Sequence, residues 1–131
     1  KGVMDPEDAY MAVKSGADAL IVSNHGGRQL DGAPAALDAL PGIVAAVGDD
    51  IEIWMDGGIR SGQDVFKAIA LGAKGTLIGR AFLYGLGAMG EAGVTHCLQI
   101  IEKELDLTMA FSGLSDINDV DEKVIWAPGS R

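Results

Sequence analysis

The sequence is poor in several residue types, and each shortage excludes a class of protein. The single cysteine, Cys97, excludes an intrachain disulfide framework and a cysteine-rich metal centre, so we expect a reducing compartment and no metal site. Ten lysine and arginine residues stand against 19 aspartate and glutamate residues, and this formal charge of −9 argues against a general nucleic-acid or membrane-binding surface. No apolar run comes near the roughly 20 residues that cross a bilayer. Any anion site must therefore be built from a few placed arginines and backbone amides.

The residue types that are plentiful are glycine and small apolar residues, and they form a repeat. Residues 5–23 and 61–79 align without a gap at an offset of 56 residues. Each copy has apolar residues at helical spacing, then a glycine, then a short apolar strand. Each copy also begins with a capping residue and an acid three positions later, which resembles a capping box: Asp5 with Asp8, and Ser61 with Asp64.

The rest of the chain continues the alternation of helices and strands. Apolar spacing predicts a helix over 35–47, a strand over 51–55 and a long amphipathic helix over 90–109, followed by an acidic tail over 112–131. Alternating strands and helices with short loops are typical of a parallel sheet. If the first copy follows a strand as the second does, a further strand ends just before Lys1. We therefore expect position 1 to be an interior point of a longer polypeptide.

These elements predict an α/β fold, namely the C-terminal half of a (β/α)8 TIM barrel, from the end of strand five through helix eight. A complete barrel of this kind takes about 250 residues. Residues 1–131 would then form one partial domain from which the first half is absent. Because a half barrel leaves strand edges unpaired, we expect it to need the N-terminal half of the same barrel.

Two loops that follow predicted strands carry glycines and arginines suited to an anion. In such barrels the functional groups follow the C-terminal ends of strands, and the phosphate site commonly follows the last two. The loop DGGIRSG contains Gly57, Gly58 and Arg60, and the loop IGRAF contains Arg80. Their backbone amides, the start of the helix after Ser61 and the arginine forks all suit phosphate. The alternative is two tight turns with solvated arginines, and we favour the phosphate site because both loops carry an arginine.

The segment SNHGGRQLDG follows the strand of the first copy and holds one of only two histidines. His25 can exchange a proton near neutral pH, which suits a general base, and Arg28 can clamp a carboxylate with its planar fork. Together they predict a site that holds an acid and removes a proton from the adjacent carbon or its hydroxyl. A structural histidine bonded to loop backbone, with an ion pair between Arg28 and Asp31, is an equally open alternative.

Three further residues that could carry chemistry are interpreted as structural. His96 and Cys97 fall on the predicted long helix, away from these loops, and Trp54 falls within a strand. We expect all three to pack against neighbours or to lie at the surface.

The segments SNHGGRQLDG, DGGIRSGQDVFKAIALGA and LIGRAFLYGL resemble the C-terminal half of the FMN-dependent 2-hydroxy acid dehydrogenases and oxidases, which include L-lactate dehydrogenase and glycolate oxidase. The resemblance implies that His25 is the catalytic base and that His25 and Arg28 bind the substrate. It also implies that Lys1 approaches the N1/O2 edge of the flavin. The implied FMN-binding residues are Lys1, Ser23, Asp56, Gly57, Gly58, Ile59, Arg60, Gly79 and Arg80.

The same resemblance implies an enzyme that oxidises an L-2-hydroxy acid to the 2-oxo acid with FMN as the electron acceptor. The segments DPEDA and RAFLYGL favour L-lactate as the substrate, ahead of glycolate and mandelate. The family's remaining contacts lie in the first half of the barrel, so the 131 residues alone are expected to be inactive. The parent enzyme is implied to be a cytoplasmic homotetramer that binds no nucleic acid. A peripheral position on the inner face of the cytoplasmic membrane, through regions outside this chain, is the second option.

Two alternatives stay beside this interpretation. An IMP dehydrogenase-like barrel also binds phosphate through similar loops, but its chemistry needs a nucleophilic cysteine in an active-site loop, whereas Cys97 falls on the last helix. A non-catalytic half barrel that serves as a folding or binding module is the other alternative. The presence of His25, Arg28, Arg60 and Arg80 argues against it.

Overall fold

The computed structural model describes residues 1–126, which form four helices and three strands. In chain order these are α1 (Pro6–Lys14), β1 (Ala19–Val22), α2 (Ala36–Val47), β2 (Glu52–Asp56), α3 (Gly62–Ala70), β3 (Gly75–Leu77) and α4 (Arg80–Phe111). Short 3-10 turns cover His25–Gly27, Ile117–Asp119 and Glu122–Val124. The predicted alternation of helices and strands is confirmed, with boundaries displaced by a residue or so for α2 and β2.

The three strands form one parallel sheet in the order β1-β2-β3. β1 pairs with β2 from Ala19↔Glu52 to Val22↔Met55, and β2 pairs with β3 from Trp54↔Gly75 to Asp56↔Leu77. A parallel bridge between Val3 and Val22 adds a further short pairing on the other side of β1. The prediction of an α/β fold with a parallel sheet is confirmed, and the assignment to half of a barrel stays a prediction. The carboxyl ends of all three strands lie at one edge, which places the loops after them side by side.

The main core lies between the sheet and α2. Leu40, Ile43 and Val47 recur at helical spacing along α2 and are buried against Val22 and Met55 of the sheet. Burying a side chain of this size stabilises a fold by about 1.5–3 kcal/mol. Trp54 packs its ring over Gly75 of β3 and donates its Nε1–H to Glu52 Oε2 at 3.0 Å, as expected for a structural tryptophan.

The two copies of the sequence repeat differ at their helix starts. At α3, Ser61 Oγ accepts from the Asp64 amide and Asp64 Oδ2 accepts from the Ser61 amide, so the predicted capping box is confirmed. At α1, Asp5 Oδ1 accepts from the Glu7 amide, and no such reciprocal bond involves Asp8. The predicted capping box at α1 is therefore wrong, because Asp5 uses the amide one position earlier.

A helical segment that the apolar pattern did not predict precedes the predicted long helix, and the two meet at a kink. α4 runs from Arg80 to Phe111, with non-helical backbone at Met89 (φ −143°) and Gly90 (φ +61°). The glycine-rich stretch before position 90 has low intrinsic helix propensity, yet it is helical here. Ile101 is buried, whereas Leu98, three residues earlier on the same helix, is 52% exposed.

The C-terminal tail packs against α3 and α4 as far as the structure describes it. Val120 is buried in a small cluster with Phe66 and Ala70, and Leu105 and Ile117 pack around them. The predicted tail over 112–131 is thus described up to residue 126, and its last five residues lie outside the described range. The single partial domain over 1–131 stays a prediction. Within residues 1–126, no helix combines the length and the apolarity that a membrane crossing requires.

Candidate functional site

The loops that follow β1, β2 and β3 surround a cleft of about 580 Å³. Each loop leaves the carboxyl end of a parallel strand, so the strand order β1-β2-β3 brings all three together. Most of the residues predicted for the site line this cleft: Lys1, His25, Arg28, Asp56, Gly57, Gly58, Ile59, Arg60, Gly79 and Arg80. The remaining one, Ser23, is buried next to the wall.

Ser23 links the two sides of the cleft. It is only 1% exposed, and its Oγ accepts hydrogen bonds from Lys1 Nζ at 2.9 Å and from the His25 amide at 3.1 Å. Lys1 Nζ also pairs with Asp56 Oδ2 at 2.6 Å. Because an ammonium group has three N–H donors, the two contacts leave one donor free for a ligand in the cleft.

The His25 loop has an unusual backbone that presents the imidazole to the cleft. His25, Gly26 and Gly27 all lie in the left-handed region, with φ of +54°, +69° and +71°. The Asn24 side chain fixes this turn, since Oδ1 accepts from the Gly26 amide at 3.0 Å and Nδ2 donates to the Pro34 carbonyl at 3.1 Å. A residue with a Cβ at positive φ is uncommon and marks a position that its surroundings hold in place.

The structural alternative for the His25 loop lacks its expected contacts. Over residues 1–126 the imidazole takes part in no hydrogen bond, and Arg28 forms no ion pair with Asp31. Both side chains are exposed and line the cleft. His25 and Arg28 thus stand where a bound acid could meet them.

The cleft is basic although the chain is acidic. Lys1, Arg28, Arg60 and Arg80 border it, against one carboxylate from Asp56. This arrangement is the local basic pocket that a net charge of −9 still permits. It favours an anionic ligand.

At the N-terminus of α3, where the sequence predicted amides that point to an anion, carboxylates of the described residues accept from several of these amides. Asp64 Oδ2 accepts from the amides of Arg60 and Ser61, both at 3.0 Å. Glu104 Oε2, from α4, accepts from the Gly62 amide at 2.9 Å. The carboxylate of the capping box visible in the sequence therefore accepts from amides that the phosphate prediction assigned to an anion. The contribution of Glu104 comes from 42 residues away and has no sequence signal.

The N-terminus of α4 is open instead. Gly79 precedes it without a side-chain cap, and Gly79, Arg80 and Ala81 all line the cleft. Uncapped amides at a helix start form a natural site for an anion. Arg80 also reaches the His25 loop, where its Nη2 donates to the Gly26 carbonyl at 3.1 Å. The sequence did not predict this helix start, because the residues after Gly79 show no helical pattern.

The apolar part of the cleft wall was not predicted from the sequence. Leu77, Ile78 and Leu83 line it next to Arg80. Their position at the end of β3 and the start of α4 is the signal that could have identified them. His96 lies exposed and Cys97 half-buried on α4, and neither lines this cleft, in agreement with the structural interpretation.

Comparison with known proteins identifies the family. Residues 1–127 match the FMN-dependent dehydrogenase family. The chain belongs to this family. It is 54% identical to an L-lactate dehydrogenase of Caulobacter vibrioides over 125 residues, which are 95% of this chain and 33% of that protein. The chain thus spans about a third of the length of the curated relatives that it matches.

Solved structures of the FMN-dependent dehydrogenase family also match the fold. A mandelate oxidase variant with an FMN monooxide adduct has a TM-score of 0.88 and 45% identity, over 91% of this chain and 38% of that one. A soluble mutant of the membrane-associated (S)-mandelate dehydrogenase from Pseudomonas putida has a TM-score of 0.90 and 43% identity, over 94% and 35%. Membership in this family removes the support for an IMP dehydrogenase-like barrel.

Proposed function

We propose that this chain is the C-terminal part of an FMN-dependent barrel enzyme that oxidises an L-2-hydroxy acid to the 2-oxo acid. The observation that carries the proposal is the basic cleft, in which His25 and Arg28 lie beside an anion site at the ends of three parallel strands. L-Lactate is the preferred candidate substrate, because the L-lactate dehydrogenase of Caulobacter vibrioides is 54% identical to this chain. Glycolate and mandelate are the next candidates.

The donor groups of the cleft fit FMN. The phosphate would be held by the open N-terminus of α4 at Gly79 together with Arg60 and Arg80. Asp56, Gly57, Gly58 and Ile59 would follow the ribityl chain. Lys1, held by Ser23 and Asp56, would direct its free N–H to the flavin ring. FMN, when bound, supplies the chemistry of accepting two electrons from the substrate.

His25 and Arg28 would handle the substrate. The planar fork of Arg28 binds the substrate carboxylate, which fixes the orientation of the adjacent carbon. The exposed imidazole of His25 takes the proton from that carbon or from its hydroxyl. Arg80 supports this step at a distance, since its bond to the Gly26 carbonyl ties the His25 loop to the phosphate site.

The proposal includes the parts of the enzyme outside this chain. The described part of β3 pairs on one side only, with β2, which leaves an edge for the N-terminal half of the same barrel. Because that half carries further contacts, the 131 residues alone would be inactive. We further propose a cytoplasmic homotetramer, with peripheral membrane contact through other regions as the second option. The membrane-associated (S)-mandelate dehydrogenase among the similar structures supports the latter.

The test is to purify the full-length parent and to record its visible spectrum. We expect an FMN-type absorbance that bleaches with L-lactate, glycolate or mandelate without added nicotinamide. The 131-residue chain by itself is the control and should bleach with none of them. A full-length protein that binds no flavin, or whose flavin no 2-hydroxy acid reduces, would contradict the proposal and favour a non-catalytic module. His25→Gln should keep FMN bound yet abolish reduction, and loss of FMN would mean that the role of His25 is wrong.

A further inference from the structure

Gly2 lies directly against the imidazole of His25. A Cβ at Gly2 would be 2.5 Å from His25 Cε1, 3.3 Å from Nδ1 and 3.5 Å from Nε2. The first distance is far shorter than van der Waals contact, and the three heavy atoms nearest to this Cβ all belong to the ring. The missing side chain at position 2 therefore leaves the space that the imidazole occupies.

The backbones on both sides of this contact are held in place. The Gly2 amide donates to the Ile21 carbonyl at 3.1 Å, and the Ser23 amide donates to the Val3 carbonyl at 3.3 Å, so residues 2 and 3 are tied to β1. The His25 amide is held by Ser23 Oγ at 3.1 Å, also at the end of β1. Because both backbones are anchored to one strand, an added Cβ would displace the imidazole rather than the chain.

We propose that Gly2 is a positioning residue that sets the location of the His25 imidazole in the cleft. The proposal rests on the proposed function, in which His25 removes a proton from the substrate. The neighbouring Lys1 fixes its ammonium on the same Ser23 hydroxyl that holds the His25 amide. The buried Ser23 hydroxyl thus contacts both the Lys1 ammonium and the backbone of the residue that carries the base.

A purely conformational role of Gly2 would predict different behaviour. Gly2 has φ of +93°, so any other residue would strain the backbone there. Gly16 offers a matched control, because its φ is +81° and a Cβ on it would meet nothing within 4 Å. Gly16→Ala therefore introduces the same kind of strain without touching the imidazole.

The kinetic experiment compares Gly2→Ala and Gly16→Ala in the full-length parent. We expect Gly2→Ala to retain FMN absorbance but to slow substrate-dependent bleaching by about 100-fold, because a displacement of the base by about 1 Å costs a factor of this size. The loss should lie in kcat more than in KM, since Arg28 still holds the carboxylate. Gly16→Ala should bleach at the wild-type rate. Bleaching of Gly2→Ala at the wild-type rate, or an equal loss in both variants, would overturn the proposal.

A thermal double-mutant cycle tests the contact without relying on activity. His25→Ala removes the ring that the new Cβ would strike. We therefore expect Gly2→Ala to lower the melting temperature of the wild-type protein more than that of the His25→Ala protein. If Gly2→Ala alone fails to fold, the double variant should recover folding. Equal destabilisation in both backgrounds would overturn the proposal. If no 2-hydroxy acid reduces the wild-type flavin, the proposed function fails, while this cycle still reports on the contact.

Discussion

Two helices start beside the same cleft, and they differ in whether side chains accept hydrogen bonds from the amides at their N-termini. At α3, Asp64 and Glu104 accept hydrogen bonds from the amides of Arg60, Ser61 and Gly62. At α4, no side chain of the described residues caps the helix, and Gly79 and Arg80 line the cleft. Both ends carry the positive end of a helix dipole, but at α3 the carboxylates of Asp64 and Glu104 already accept from three of the amides. The comparison teaches that a start signal in the sequence identifies a helix, whereas an anion site needs a helix start whose cap is absent.

The packing of the helices explains why α3 is closed. A Cβ on Gly62 would strike the backbone of α4 at Ile101 and Leu105, so the two helices touch at this point. The close approach brings the Glu104 carboxylate to the first amides of α3. At the start of α4, no side chain of residues 1–126 supplies such a cap. The closed end of α3 therefore follows from its close contact with α4.

Placing a carboxylate at the start of α4 should have the largest effect. Gly79→Asp would give α4 a side-chain cap, and a Cβ there meets nothing within 4 Å. We expect FMN affinity of the full-length parent to fall by more than about 100-fold, because the amides are taken and a negative charge faces the phosphate. Gly79→Asn, which caps without the charge, should weaken binding less. Unchanged affinity of Gly79→Asp, measured by fluorescence titration, would show that α4 does not hold the phosphate.

Removing the arginine at the start of α4 should have the next largest effect. Arg80→Ala deletes a charged donor in the cleft and its bond to the Gly26 carbonyl. Hydrogen bonds to charged groups contribute about 1.5–3 kcal/mol, so FMN affinity should fall by roughly 10- to 100-fold. Arg80→Lys keeps the charge but loses the planar fork, and we expect an intermediate value. Equal affinities for the alanine and lysine variants would mean that the charge plays no part.

The contrast also marks what the sequence could predict and what it could not. Apolar periodicity and the repeat predicted the parallel sheet and the helices, because these signals lie within about 20 residues of chain. The glycines and arginines of the cleft were predicted from the loops that follow the strands, whereas Lys1, Ser23 and Asp56 were implied by the family resemblance alone. The contacts of Gly62 with Glu104 and of Gly2 with His25 join residues 42 and 23 positions apart, and no local pattern encodes them. The start of α4 was missed because its glycines oppose the helix that packing imposes.

Opening the capping box of α3 should affect stability more than FMN binding. Asp64→Ala removes the carboxylate that accepts from the Ser61 amide in the box, which should lower the free energy of unfolding by about 1 kcal/mol. Asp8→Ala is the matched control, because Asp8 occupies the same position in α1 without closing a box there. We expect Asp8→Ala to change stability by much less in a denaturant titration. FMN affinity of Asp64→Ala should fall less than that of Arg80→Ala, because Asp64 Oδ2 holds only the backbone amide of Arg60, whose guanidinium belongs to the proposed phosphate site. A large loss of FMN affinity would remove the distinction between the two helix starts.

The smallest effect is expected at Glu104. Glu104→Gln keeps an oxygen that can accept the Gly62 amide, so it removes only the charge from the start of α3. The interaction of one charge with a helix terminus is worth about 0.3–1 kcal/mol, and the loss in unfolding free energy should fall in this range. Glu104→Ala removes the acceptor as well and should cost more, which separates the hydrogen bond from the charge. FMN affinity shows whether this cap keeps an amide away from the phosphate. If the affinity rises in Glu104→Ala, the freed amide of Gly62 binds the phosphate. The closed end of α3 would then differ from the open end of α4 by a single carboxylate rather than by its position in the fold.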